Sequence, residues 1–264
     1  MALPFLKSGW SLSPSNRTSD TRHSRKRCRN PNAVKGQCHS CLEHITSVFD
    51  FIIPPDVRKV AGHRTALDLG NPLAASLIAT LAKKKIMVDP TLTVFKNMLL
   101  LSDLQEVNRQ ADNGHMPARL RDYWDAYRKG QGLSPATLER RRKEFQKYQE
   151  LTGVLYRAGV PLLAGTDAPE PYCPPGFVLH QELELLVESG LSPAAALQAA
   201  TINNARALKQ GNHLGSVEPS TLADLLILDA DPTADIRNTR KIVYVVRGGI
   251  VCDPKTLLKA IPAH

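Results

Sequence analysis

No stretch of about 20 apolar residues occurs anywhere in the 264 residues, so no segment reads as a membrane-spanning helix. The apolar piece Ala2–Leu6 is shorter than the roughly 7–15 residues of a secretory h-region, so no signal peptide is expected. Cysteine is scarce: five residues, at 28, 38, 41, 173 and 252, form an odd, scattered set. That excludes a disulfide framework and makes a reducing, cytoplasmic setting the expectation. Cys38-His39-Ser40-Cys41 followed by Glu43-His44 looks like half of a zinc knuckle, but no second Cys/His pair follows at zinc spacing. The favoured reading there is ordinary residues around a strand. Acidic residues are in deficit, and the deficit is local: residues 1–35 hold eight Lys/Arg against Asp20, net +7 of the chain's +9. A basic balance of this origin describes an arm, not a nucleic-acid-binding face. The cluster Arg22-His23-Ser24-Arg25-Lys26-Arg27-Cys28-Arg29 could touch nucleic acid or anionic lipid only as a solvated polybasic segment.

Beyond that arm the text becomes structured. Residues 1–32 are rich in Ser, Arg, Asn and Pro, show neither helical nor strand period, and are expected to be disordered. Ser40 to His44 reads as a short strand ending in Glu-His. Apolar residues at 73, 74, 77, 78, 81 and 82 predict a helix over Asn71–Lys85, which leads into a strand, Ile86–Leu92, stopped by Pro90. Residues 93–150 are polar and helix-forming, with Tyr123, Trp124 and Tyr127 on one side and Arg140-Arg141-Arg142-Lys143 on another. They read as a solvated helical hairpin, with a lid over the site as the functional alternative. A helix over 145–158 delivers the chain to a buried strand, 160–164, that runs into Gly165-Thr166-Asp167. A carboxylate at the tip of a buried parallel strand sits where α/β folds place their chemistry, although an Asp opening an exposed loop gives the same text. A four-proline loop follows, then a helix over 178–189 stopped by Gly190, and a next helix opened by Ser192-Pro193. Strands are expected at Ala223–Leu228 and Ile242–Val246, with Gly248-Gly249 turning into Ile250–Cys252.

Taken in order, Glu43-His44, Pro90-Thr91-Leu92, Gly165-Thr166-Asp167, Leu179-His180-Gln181-Glu182, Ala200-Thr201-Ile202-Asn203 and Ala223-Asp224-Leu225 resemble the C-terminal part of the amidohydrolase superfamily, in its imidazolonepropionase- and prolidase-like group. The resemblance implies an α/β fold: a partial TIM-like (β/α) barrel, strands six to eight with their helices, over residues 33–210 with a helical insertion at 93–150, then C-terminal strands of a small β-sandwich over 211–264. It implies a divalent metal, zinc above others, that activates water and polarises a carbonyl. His44 matches a sixth-strand metal ligand and Asp167 the eighth-strand residue that both ligates metal and shuttles the proton. Their reacting atoms are then expected within roughly 8 Å, at the ends of neighbouring parallel strands. Gly165 and Thr166 would support Asp167, through close backbone approach and a hydroxyl. His180 would line the substrate pocket, with a structural role as the alternative, while Glu182 and Glu184 read as solvated or capping. His63 and His115 receive no role.

Two departures stand out. Asp89 precedes Pro90 where the family prefers an apolar residue, and Pro219-Ser220-Thr221 replaces a Pro-Gly-Lys turn. One absence decides more: no two of the eight histidines are two apart, so the family's first-strand His-x-His does not occur. Two ligands do not hold a catalytic metal that needs three from protein. The expectation is therefore an incomplete, inactive form of an enzyme hydrolysing a C–N bond in a small amide, cyclic amide or dipeptide-like substrate. Unpaired strand edges make a homo-oligomer an expected by-product. The alternative is a non-enzymatic protein whose basic N-terminal arm binds nucleic acid.

Overall fold

The computed structural model describes residues 41–59, 62–99, 116–130 and 134–259. The expected disordered arm, its basic cluster, His115 and Cys38-His39 lie outside them. Chain order gives β1 (Cys41–Glu43), α1 (Ile45–Ile52), α2 (Pro72–Lys83), β2 (Met87–Asp89), α3 (Leu92–Leu99), α4 (Ala118–Lys129), α5 (Pro135–Arg157), α6 (Val178–Glu188), α7 (Pro193–Gln198), α8 (Asn204–Ala207), β3 (Leu225–Leu228), β4 (Ile242–Arg247), β5 (Ile250–Cys252) and α9 (Pro254–Lys259). The fold class is α/β, as expected.

Three of these helices start by one device. Asn71, Ser134 and Ser192 each accept a hydrogen bond from the backbone N–H three residues on, and each is followed by proline at the first helical position. The side-chain oxygen satisfies one orphan donor and the proline ring presets φ while lacking the N–H that would have none. Helix α5 is longer than expected. Its 23 residues fuse the second half of the polar insertion with the helix that feeds the next strand.

β1 and β2 pair in parallel, Leu42 opposite Val88, and β2 carries a further parallel bridge from Val88 to Leu162. Parallel neighbours need long crossovers; α1 and α2 supply one, and α3 to α5 the other. The strand expected over 160–164 shrinks to that single bridge, for two backbone reasons. Pro161 has no N–H to give, and the Gly165 N–H goes to the Asp89 side chain rather than to a ladder carbonyl. The core lies between these strands and the helices. It takes the buried face of α1 (Ile45, Val48, Phe49, Ile52), Ala74, Ile78 and Leu81 from α2, Tyr148, Leu151 and Leu155 from α5, and Leu183 and Leu186 from α6. Arg64 ties α1 to α5, donating to Asp50, Glu144 and the Tyr148 hydroxyl.

The polar insertion is less solvated than its composition suggests. Trp124 is 1% exposed, against Met116 and Tyr172, while its neighbour Tyr123 is 64% exposed. Adjacent residues on a helix point about 100° apart, so one aromatic is sheltered and the next is not.

β3, β4 and β5 form a separate antiparallel sheet in that order. Gly248 and Gly249 have φ of 56° and 81°, the paired positive values of a type I′ hairpin turn. Ser220 adopts φ 72° where a glycine would do so without a Cβ clash. The sheet leaves Ile227, Val243, Tyr244, Ile250 and Val251 exposed. Among the described residues no helix is long and apolar enough to cross a membrane.

Candidate active site at the strand ends

Parallel strands converge their C-terminal ends on one side of the sheet, and β1, β2 and the Leu162 segment each hand over a polar residue there. His44 leaves β1 with φ 67°, its N–H donating to the Asp89 carbonyl at 2.8 Å. Its ring is fixed twice, by a 2.9 Å hydrogen bond between Nδ1 and Thr91 Oγ1 and by an edge-on contact with Phe95 at 5.9 Å. Asp167 also has a positive φ, 52°. The result brings His44 Nε2 to 3.9 Å from Asp167 Oδ2, both side chains partly open to solvent. That spacing is beyond a hydrogen bond and inside the expected separation. The strands are not adjacent, however: β2 lies between them, so the two residues meet across it.

The residue at that crossing is Asp89. Its carboxylate accepts from the Gly165 N–H at 2.8 Å, and the nearby Thr91 N–H also favours its charge, while its own carbonyl holds His44. A Cβ on residue 165 would fall 2.0 Å from Asp89 Oδ2, so only glycine allows the approach. Burial, outweighing those donors and the His44 imidazole, pushes Asp89 up to about 6. Glu170, following in the loop, is also raised, by burial and then by the Asp167 charge.

Behind this layer Glu182 is fully buried. It is not solvated, and it caps a helix other than its own: Oε1 accepts from Leu92 N–H at 2.9 Å, and Oε2 from Thr93 N–H and Oγ1 at 2.7 Å each, at the start of α3. Burial still dominates and pushes the carboxyl up to about 8. Glu184, two residues on, is an ordinary surface partner of Arg240 at 2.9 Å. His180 points to the segment before β4. Its Nδ1 lies 3.0 Å from Thr239 Oγ1, whose proton goes to the Ile236 carbonyl, so Nδ1 is the donor. Among the described residues no hydrogen bond joins the Thr166 hydroxyl to Asp167.

The loop beyond Asp167 is held from the insertion. The Tyr172 hydroxyl donates to Asp125 at 2.5 Å, its ring meets Trp124 at 5.5 Å, and Asn97 donates to the Tyr172 carbonyl at 2.8 Å.

A catalytic zinc takes three protein ligands. Among the described residues no group of three or more His, Cys, Asp and Glu side chains could hold a metal ion. The thiols do not help: burial pushes Cys41 up to about 11 and Cys173 up to about 12, far from thiolate. Among the described residues His44 and Asp167 are thus two donors without a third, and they do not by themselves fit a catalytic metal.

Of the site's residues, sequence reasoning missed Asp89, Thr91 and Glu182. A carboxylate standing where an apolar residue is usual was the one available signal for Asp89. Helical spacing was the available signal for Glu182, which stands four residues after Val178 and four before Leu186 on the apolar face, whereas Glu184 lies away from it.

Comparison with known proteins follows the same lines. The sequence profile of the amidohydrolase family matches residues 58–251. An adenine deaminase of Rhizobium meliloti is 34% identical over 85 residues, covering 32% of this chain and 13% of that protein. An imidazolonepropionase of Geobacillus kaustophilus is 34% identical over 111 residues, 37% of this chain and 24% of the relative. The chain therefore spans a quarter or less of these curated relatives. Among solved structures a bottromycin amidohydrolase superposes with a TM-score of 0.58 at 23% identity, over 83% of this chain and 46% of that one, a likeness of fold.

Proposed function

The chain belongs to the amidohydrolase family, matched over well over half its length, and on that premise we propose that it carries part of a site for hydrolysing a carbon–nitrogen bond in a small amide, cyclic amide or dipeptide-like substrate. The observation that carries this reading is the pair at the strand ends, His44 Nε2 3.9 Å from Asp167 Oδ2. The names of the curated relatives, an adenine deaminase and an imidazolonepropionase, support the same bond class. We read β1, β2 and the Leu162 segment as barrel strands six to eight, and β3 to β5 as the C-terminal strands of a β-sandwich.

In this reading Asp167 is the catalytic base: its carboxylate takes a proton from the attacking water and returns it to the leaving nitrogen, which departs as a neutral amine. His44 and Asp167 are the donors this chain offers to a divalent metal, with zinc the natural ion for an imidazole and a carboxylate. Gly165 supports Asp167 through the close approach to Asp89, and Thr166 lies beside it. His180, anchored through Nδ1, is the proposed substrate contact, and α4 over the Asp167 loop is the proposed lid.

Two donors leave the isolated chain inactive. Pure protein supplied with zinc is expected to turn over no member of an amide, cyclic amide and dipeptide panel. Saturable, metal-dependent turnover abolished by Asp167→Ala would overturn that inactivity. The site itself is checked by zinc titration followed by NMR, where the His44 ring and Asp167 signals are expected to shift together. Zinc that moves neither would sink the assignment of both residues.

A further inference from the structure

Among the described residues Asp89 is the one whose bonds reach both site-bearing turns. Its carbonyl receives the His44 N–H at 2.8 Å, and its carboxylate receives the Gly165 N–H at 2.8 Å. Thr91, whose φ is 49°, in turn grips His44 Nδ1 at 2.9 Å. From Gly165 the chain reaches Asp167 in two residues. A leucine or valine in place of Asp89 would leave the Gly165 N–H without that acceptor.

We infer that Asp89 is the positioning residue of this site, a clamp in the middle strand that sets the turn carrying His44 and the turn carrying Asp167 at a fixed separation. The clamp explains why the last parallel segment forms one ladder bridge and then stops: its next N–H is spent on Asp89. It also gives Gly165 its reason, since a methyl there would fall 2.0 Å from the carboxylate. The inference rests on the reading of His44 and Asp167 as site residues, but its test does not.

The test is hydrogen exchange and side-chain NMR on the full chain. In Asp89→Leu the Gly165 amide is expected to lose protection by at least about tenfold, the loss of a bond to a charged acceptor. The His44 ring signals should move as its edge contact with Phe95 changes, while the Trp124 indole signal stays in place. Asp89→Asn keeps a carbonyl acceptor and is expected to restore most of the Gly165 protection and the His44 shift, a rescue that bulk packing alone would not produce. Should Asp89→Leu fail to fold, Gly165→Ala serves instead: it touches neither His44 nor Thr91, yet it must disturb both through the displaced carboxylate. Unchanged protection at Gly165 in Asp89→Leu, or a Gly165→Ala variant whose changes stop short of Thr91 and His44, would overturn the clamp. Zinc that shifts neither His44 nor Asp167 in a wild-type chain showing the expected exchange pattern would remove the metal reading and leave the clamp standing.

Discussion

Glu182→Gln isolates the energetic consequence of burying a carboxylate behind the site. Glu182 is fully buried and pushed from 4.5 up to about 8, burial outweighing three donors from the start of α3. Between those two values the folded state holds a proton that the unfolded state has released, so stability falls as pH rises. The contribution is complete below pH 4.5 and gone above about pH 8. At 1.36 kcal/mol per pH unit the rise sets a ceiling of about 5 kcal/mol. Asp89, pushed from 3.8 up to about 6, acts in the same sense over its own lower window. Wild-type protein is therefore expected to lose stability from pH 4 through 8, whereas Glu182→Gln, an uncharged mimic of the protonated form, should lose it only up to about pH 6 and then run flat. Urea unfolding followed by circular dichroism at constant ionic strength reads this directly. A wild-type curve that is flat or rising between pH 6 and 9 would refute the reasoning, since it would mean that the three donors hold Glu182 ionised throughout.

Gly153→Ala should destabilise the chain by about 1–3 kcal/mol, as overpacking does, although alanine is the better helix former: its Cβ would meet the Ser189 carbonyl at 2.2 Å. A raised melting temperature would show that α5 and α6 can part at no cost. Trp124→Ala, which empties a site 1% exposed against Tyr172, should cost about 3–5 kcal/mol in urea unfolding; a loss below 1 kcal/mol would mean α4 packs loosely. The exposed apolar side chains on the two faces of the sheet should bind a hydrophobic dye and associate with rising concentration, and replacing Ile250 and Val251, 70% and 63% exposed, with lysine should reduce both. Light scattering that finds a monodisperse monomer with no dye binding would contradict this.

Local text was enough for the elements that are governed by local rules. Asn71-Pro72, Ser134-Pro135 and Ser192-Pro193 announce helix starts because a cap and a preset φ act within four residues. The apolar period from Leu73 to Ala82 announces α2, and Gly248-Gly249 the hairpin. Motif order likewise placed His44 and Asp167 on one side of a parallel sheet, and the 3.9 Å between them agrees. Tertiary structure decided what depends on partners far along the chain. The strand after Val160 stops early because its N–H is taken by a carboxylate 76 residues earlier. Helical spacing puts Glu182 on the apolar face of α6 and Glu184 off it, but does not say what each meets: one is sealed against α3, 89 residues away, and the other pairs with Arg240 at the surface. A carboxylate's protonation and a backbone donor's choice of acceptor are set by what surrounds them in space. Pattern along a chain records which faces are apolar and where turns start; it carries no term for which buried polar group will find which.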